Sequence, residues 1–221
     1  MNKYGMTKVR KSLATAFHDT AIYDAYQALE GQKAIRRWTA TGRQVPPPHV
    51  IKRKTLLAYK RRYDIRVLIE TGTFLGDMVY AMRGVFSKIV SIELDRELHA
   101  RASQRLSKLK HVQLLLGDSA ELLPSVLQSI HEPALFWLDG HYSGPGTARS
   151  TEDTPIVREL SCVLMHNRRN HVILIDDARE FTGRADYPSV EKLTEITLGL
   201  NPAASVTIAD DIIRIETGPR A

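Results

Sequence analysis

Two segments carry residues whose types and spacing could do chemistry. FWLDGHY, residues 136–142, closes an apolar run with Asp139, Gly140 and His141, and ILIDDARE, residues 173–180, closes another with Asp176 and Asp177. Short apolar runs bounded by polar residues read as buried strands, so each acid stands where a strand delivers its tip. If those strands are neighbours, three carboxylates converge at one end of a sheet. Carboxylates so placed repel one another unless something positive sits among them. Hard oxygen ligands in that number, with room left for water and substrate, suit Mg²⁺ or a similar divalent cation. The plainer readings are a turn or helix cap for Asp139 and an N-cap for Asp177.

A second group lies upstream. ETGTFLGDM, residues 70–78, follows a β-branched apolar run and places Gly72 and Gly76 in the first turn, with Thr73, Phe74 and Leu75 between them. Glycines there let backbone come close to a ligand or adopt a φ that a Cβ would forbid. The middle glycine of the dinucleotide pattern is absent, which argues against a pyrophosphate packed on the helix N-terminus. Glu70, two positions before Gly72, argues the same way and favours a cationic group such as an amine or sulfonium. Glu93 ends the next apolar run, where a carboxylate can accept two hydrogen bonds from a ribose diol; the alternative, a helix cap, is already filled by Asp95. In GDSAELL, residues 117–123, Asp118 or Ser119 caps a helix while a neighbouring group could face an adenine edge.

These sites need elements to hold them. From Ile65 the chain alternates short apolar runs with helical stretches: IRVLIE, KIVSIE, HVQLLL, ALFWL and HVILI. The spacing allows a strand, a helix and a return, so five parallel strands are expected. ASVTIA and IIRIET follow, separated only by Asp210 and Asp211, a connection short enough to require an antiparallel hairpin. The fold expected is α/β: a Rossmann-like, doubly wound sheet of seven strands, five parallel plus a C-terminal antiparallel hairpin, with an N-terminal helical extension. Residues 12–42 read as helical, TGRQVPPPH as a stiff connector, and VIKRKTLLAYKRRY as a further helix. The division expected is a basic helical extension over residues 1–50 and a cofactor-binding domain over 51–221.

The 221 residues suit one substantial core, and 43% hydrophobic with 25% charged residues is ordinary for a globular chain. No apolar run is long enough to span a bilayer, and SLATAF is interrupted by His18 and Asp19 before it could serve as a signal peptide, so a cytoplasmic protein is expected. The lone Cys162 reads as core filling. Charge is uneven: residues 1–64 hold 14 Lys and Arg against 4 Asp and Glu, leaving 17 against 21 in the remainder. The basic clusters, Lys52-Arg53-Lys54 and Lys60-Arg61-Arg62 among them, are either solvated helix faces or a surface for something anionic. They lack the interleaved aromatics of a base-stacking platform.

In this order and spacing ETGTFLG, SIELD, GDSAELLP and LDGH resemble the class I S-adenosylmethionine-dependent methyltransferases over about residues 52–216. Within that class the chain is most similar to metal-dependent small-molecule O-methyltransferases of the catechol and macrocin types. The resemblance implies that Glu70 and Gly72 lie near the methionine moiety, Glu93 holds the ribose and Ser119 sits by the adenine. It also implies that Asp139, Asp176 and Asp177 hold the metal, Asp139 lying beside the methyl donor as well. Such a metal binds the substrate hydroxyl and lowers its pKa. His141, with an ordinary pKa near neutral, is the first choice of proton acceptor, although it could equally be a loop residue bonded to backbone. Tyr142 and His171 are weaker choices. SGPGTARSTEDT, residues 143–154, resembles the sugar-directed relatives more than the catechol enzymes and could form a lid carrying Arg149, Glu152 and Asp153. Arg179 could meet a substrate anion or pair with Glu180 or Asp177.

The activity implied is S-adenosylmethionine-dependent, divalent-metal-assisted O-methylation of a polar small molecule, such as a sugar or glycan intermediate. Three alternatives stand beside it. A nucleic-acid methyltransferase recruited by the basic helices lacks the (D/N)PPY signature at the site that reads DGHY. A non-catalytic S-adenosylmethionine-binding module would not need both acid sets. A nicotinamide dehydrogenase is disfavoured by the missing glycine. The basic helices could build a lid, a homodimer interface or an anion-binding face.

Overall fold

A computed structural model describes residues 21–140, 154–166, 170–184 and 186–218. The chain divides into two compact units, Met1–Ile51 and Lys52–Ala221. In the first, helix α1 runs Ala21–Ala40 and ends where Thr41 and Gly42 turn the chain. Trp38 Nε1 then donates to Gln44 O at 2.7 Å, with the Arg43 guanidinium over its ring and a cis Val45–Pro46 bond following. Helix α2, His49–Arg62, begins in this unit and continues into the second.

The second unit is built on a seven-stranded sheet in the order β3-β2-β1-β4-β5-β7-β6. The strands are β1 Val67–Thr71, β2 Lys88–Glu93, β3 Val112–Leu116, β4 Ala134–Leu138, β5 Val172–Ile175, β6 Ser205–Ala209 and β7 Ile212–Glu216. The first five pair in parallel, and β7 pairs antiparallel with both β5 and β6. Asp210 and Asp211 both take positive φ, 53° and 62°, the signature of a two-residue hairpin turn whose twist matches its strands. The intervening helices are α3 Asp77–Met82, α4 Arg96–Leu106, α5 Ser119–Gln128, α6 Ile156–Met165 and α7 Val190–Leu200.

Side-chain alternation sorts the core into two layers. Val67, Ile69, Phe136, Leu138, Ile173 and Ile175 pack beneath α5, α6 and α7. Leu68, Leu135, Trp137 and Leu174 pack beneath α2, α3 and α4. Both faces of the parallel strands are thereby covered, which is why β1, β4 and β5 are apolar at every core position but Glu70 and Thr71. Cys162 lies half-buried on α6 against the first layer, and no helix among the described residues is long and apolar enough to cross a membrane.

Candidate functional site

Register brings the two acid-bearing runs together. Thr71 pairs with Leu138, and Leu138 with Ile175, so β1, β4 and β5 end level. The ladder continues one step: Asp139 N donates to Thr71 O and Asp176 N to Leu138 O, each at 3.1 Å. Gly72, Asp139 and Asp176 therefore stand side by side at the carboxyl end of the sheet, where open α/β sheets bind ligands. Gly72 has φ of 84°, and a Cβ there would lie 2.4 Å from Asp139 O. Glycine at this position thus sets the close approach of the first turn to Asp139.

The rest of the first turn is built without a middle glycine. Phe74 takes the left-handed region itself, at φ of 50°, and its N–H donates to Glu93 Oε2 at 2.7 Å. Gly76 follows at φ of 77°, and Arg105 reaches from α4 to Leu75 O and Asp77 Oδ1 at 2.8 and 2.7 Å, tying the turn down. Glu93 accepts a second backbone bond, from Asp95 N to Oε1 at 2.9 Å. Each oxygen still has a lone pair for a ribose hydroxyl, so the carboxylate can shape the turn and bind a diol at once. Asp95 caps α4 through Glu97 and Leu98 N, and Asp118 caps α5 through Ala120 N, with Ser119 buried as the first helical residue.

Glu70 lies wholly inside. Ser91, its register partner on β2, donates to its Oε2, and the Thr73 and Ser91 hydroxyls are hydrogen-bonded to each other at 2.6 Å. Burial pushes the Glu70 carboxyl up to about 8; the Ser91 bond opposes this, and the charges of Glu93 and Asp77 add to it. At neutral pH Glu70 is therefore protonated, and a cation placed beside it would favour its ionised form.

At the other end of the site Asp139, Asp176 and Asp177 can each turn a carboxylate oxygen to within 4.8 Å of the others. Asp177 holds its place with φ of 54°, at the start of the 3₁₀ turn Ala178–Glu180. Asp176 is 1% exposed, and its Oδ1 is buried with no hydrogen-bond partner among the described residues. Its Oδ2 accepts from Lys52 Nζ, which lies 3.3 Å from Asp177 Oδ1 as well. Burial disfavours the charge on Lys52, but Asp176, with Asp139 and Asp177 behind it, outweighs that and raises its pKa. Arg179 pairs with Asp177, Glu180 and Asp211. The donor set, the orphaned buried oxygen and the ammonium already drawn among the acids all fit a cation at this spot.

Lys52 is the residue that sequence reading missed. It stands in the basic cluster with Arg53 and Lys54, yet it shares one face of α2 with the buried Leu56 and Tyr59, at spacings of four and seven residues. A lysine heading a stripe of buried residues was the available signal. Lys60 and Arg62 are also paired, with Asp64 and Glu216, so part of the basic run serves internal contacts. His171 precedes β5 at the far end of the sheet, buried, with Nδ1 accepting from Ala134 N and Nε2 meeting His166 Nδ1. Burial and the neighbouring imidazole hold its pKa down to about 4, and it takes no part in the site. His141, Tyr142, Arg149, Glu152 and Asp153 lie outside the described residues.

No protein-family model and no curated protein matches the chain. Among solved structures it is similar to an O-methyltransferase from Bacillus cereus in complex with SAH, at 15% identity and TM-score 0.58, covering 85% of this chain and 90% of that one. TomG, an O-methyltransferase from Streptomyces achromogenes in complex with SAM, aligns at 17% identity and TM-score 0.58, over 89% and 95% of the two chains. SAH-bound PaMTH1, a methyltransferase from Podospora anserina, aligns at 16% identity and TM-score 0.55, over 99% and 97%. Strand order, register and these likenesses together show that the chain has a Rossmann-like, doubly wound fold, shared with these methyltransferases.

Proposed function

We propose that the chain is an S-adenosylmethionine-dependent O-methyltransferase whose acid cluster holds a divalent cation and whose acceptor is a hydroxyl of a polar small molecule, a sugar or glycan-linked intermediate. The observation that carries this reading is the level ending of β1, β4 and β5. It sets the glycine turn beside Asp139 and Asp176, with the Glu93 carboxylate on the β2 side of the same turn. The SAM- and SAH-bound neighbours support the cofactor.

When bound, S-adenosylmethionine supplies the methyl group, and a divalent cation lowers the pKa of the acceptor hydroxyl and fixes its oxygen. Glu93 orients the cofactor by accepting from the ribose diol, and Gly72 admits its backbone-facing side. Asp139 belongs to both halves, because its main chain abuts Gly72 while its carboxylate joins Asp176 and Asp177. That shared residue aligns donor and acceptor, and alignment is the largest contribution a methyl transferase can make to a reaction needing little proton chemistry. His141, next but one along the chain, is the proton acceptor proposed. The polar loop 143–154 is the reason for preferring a sugar to a catechol.

The test is twofold. S-adenosylhomocysteine should raise the melting temperature of the wild-type chain and not that of Glu93→Ala, with each apo melt as the folding control. Mg²⁺ should increase turnover in a screen of nucleotide sugars, phenols and RNA, and Asp139→Ala should lose that increase. No thermal shift at saturating S-adenosylhomocysteine refutes the cofactor assignment, and turnover indifferent to chelator refutes the metal. Turnover confined to RNA would transfer the acceptor to the nucleic-acid class.

A further inference from the structure

The acid cluster contains a cation of the chain's own. We infer that the Lys52 ammonium is a tethered occupant of the Asp139–Asp176–Asp177 cluster, and that a divalent metal binds there only by displacing it. Asp176 Oδ2 and Asp177 Oδ1, on two of the three carboxylates that a metal would share, are contacts of Lys52 Nζ. Asp177 Oδ1 also accepts from Arg179 Nη1 at 2.8 Å, so that oxygen already serves two cations.

The arrangement follows from the fold. The Lys52 side chain is 15% exposed and that of Asp176 is fully covered, so neither charge is solvated enough to stand alone. Leu56 and Tyr59, the next buried residues on the same helix face, hold that face of α2 in the core and aim Lys52 at the strand ends. In Asp139 and Asp176 the side-chain alternation of β4 and β5 continues one step past the strands, which sends these acids toward the same layer. With Glu180 and Asp211, which share Arg179 with Asp177, five carboxylates face the two cations Lys52 and Arg179, and the excess of negative charge that remains is enough to draw in a divalent ion. A divalent ion beside a retained ammonium would place like charges in contact inside a poorly solvated pocket, which is unfavourable at any reasonable dielectric. Exchange is the outcome that avoids both: the lysine withdraws along its flexible stem as the metal arrives. Lys52 therefore sets the metal affinity of the site, and the wild-type chain is a weaker metal binder than its three aspartates alone would make it.

This rests on the metal half of the proposed function and is read by binding, without turnover. Mn²⁺ would be titrated against the full chain and followed by electron paramagnetic resonance, for wild type, Lys52→Met, Lys52→Arg and the double variant Lys52→Met/Asp176→Asn. Lys52→Met should bind Mn²⁺ at least about tenfold more tightly. Lys52→Arg, which keeps the charge, should show no tightening, and the added Asp176→Asn should abolish the gain. Unchanged or weaker binding in Lys52→Met overturns the inference, as does tightening in Lys52→Arg or a gain that survives Asp176→Asn. Should Lys52→Met melt too low to titrate, Lys52→Gln reports the same loss of charge with a polar group retained. An S-adenosylhomocysteine melt on the same samples separates the two claims: a Mn²⁺ gain without any cofactor shift leaves this inference standing and removes the methyltransferase reading, and the reverse removes only this one.

Discussion

Replacing Glu70 with glutamine probes the cofactor end of the sheet through pH. The buried carboxyl is pushed up to about 8, whereas the unfolded chain releases that proton near 4.5. Between those values the folded state binds the extra proton. The stability linked to Glu70 is thus fully present below about pH 4.5 and is lost as pH rises through 8. The separation corresponds to on the order of 5 kcal/mol in total, or about 1.4 kcal/mol for each pH unit. Glutamine keeps the shape and can still accept from Ser91, but it does not titrate. Urea denaturation of both proteins from about pH 5 to about pH 9 should give a difference that falls steadily against the wild type up to pH 8 and then levels. Parallel profiles would refute the reasoning, because they would mean that the Glu70 proton is not held by the fold.

Gly72→Ala should cost roughly 2–4 kcal/mol, combining an unfavourable left-handed alanine with a Cβ driven against Asp139 O. Because Asp139 moves with it, both the S-adenosylhomocysteine shift and Mn²⁺ binding should weaken together; retention of both with native stability would show that the turn is not so constrained. His171 supplies a pH effect of opposite sign. Its folded pKa, about 4, lies below the ordinary 6.5, so the unfolded state binds the extra proton and stability is lost as pH falls from about 6.5 toward 4. The full loss is about 3 kcal/mol, and it should vanish from the acid limb of the denaturation profile in His171→Gln.

Much of the site was legible because strands announce their ends. The apolar runs preceding Gly72, Glu93, Asp139 and Asp176 stop where the chain leaves the core, and the structure ends the strands within a residue of each. Asp95 was legible as a helix cap for the same local reason, its side chain bonding N–H groups two and three residues on. The two-residue connection at Asp210 and Asp211 admitted only a hairpin.

What the sequence could not decide depends on partners far along the chain. The Phe74 backbone tolerates a left-handed conformation because Glu93, 19 residues on, accepts its N–H. The proton on Glu70 depends on how completely neighbouring strands and helices exclude water from it, which no local pattern states. Lys52 is the largest case. The basic Arg53 and Lys54 that follow it are half-buried and exposed, while its ammonium meets an acid 124 residues away. The amino-acid sequence by itself determined which residues end each strand, since hydrophobic runs and turn residues act locally. Only the tertiary structure decided which charges share a pocket, because strand order and helix docking set those distances and the burial that makes each unpaired charge costly.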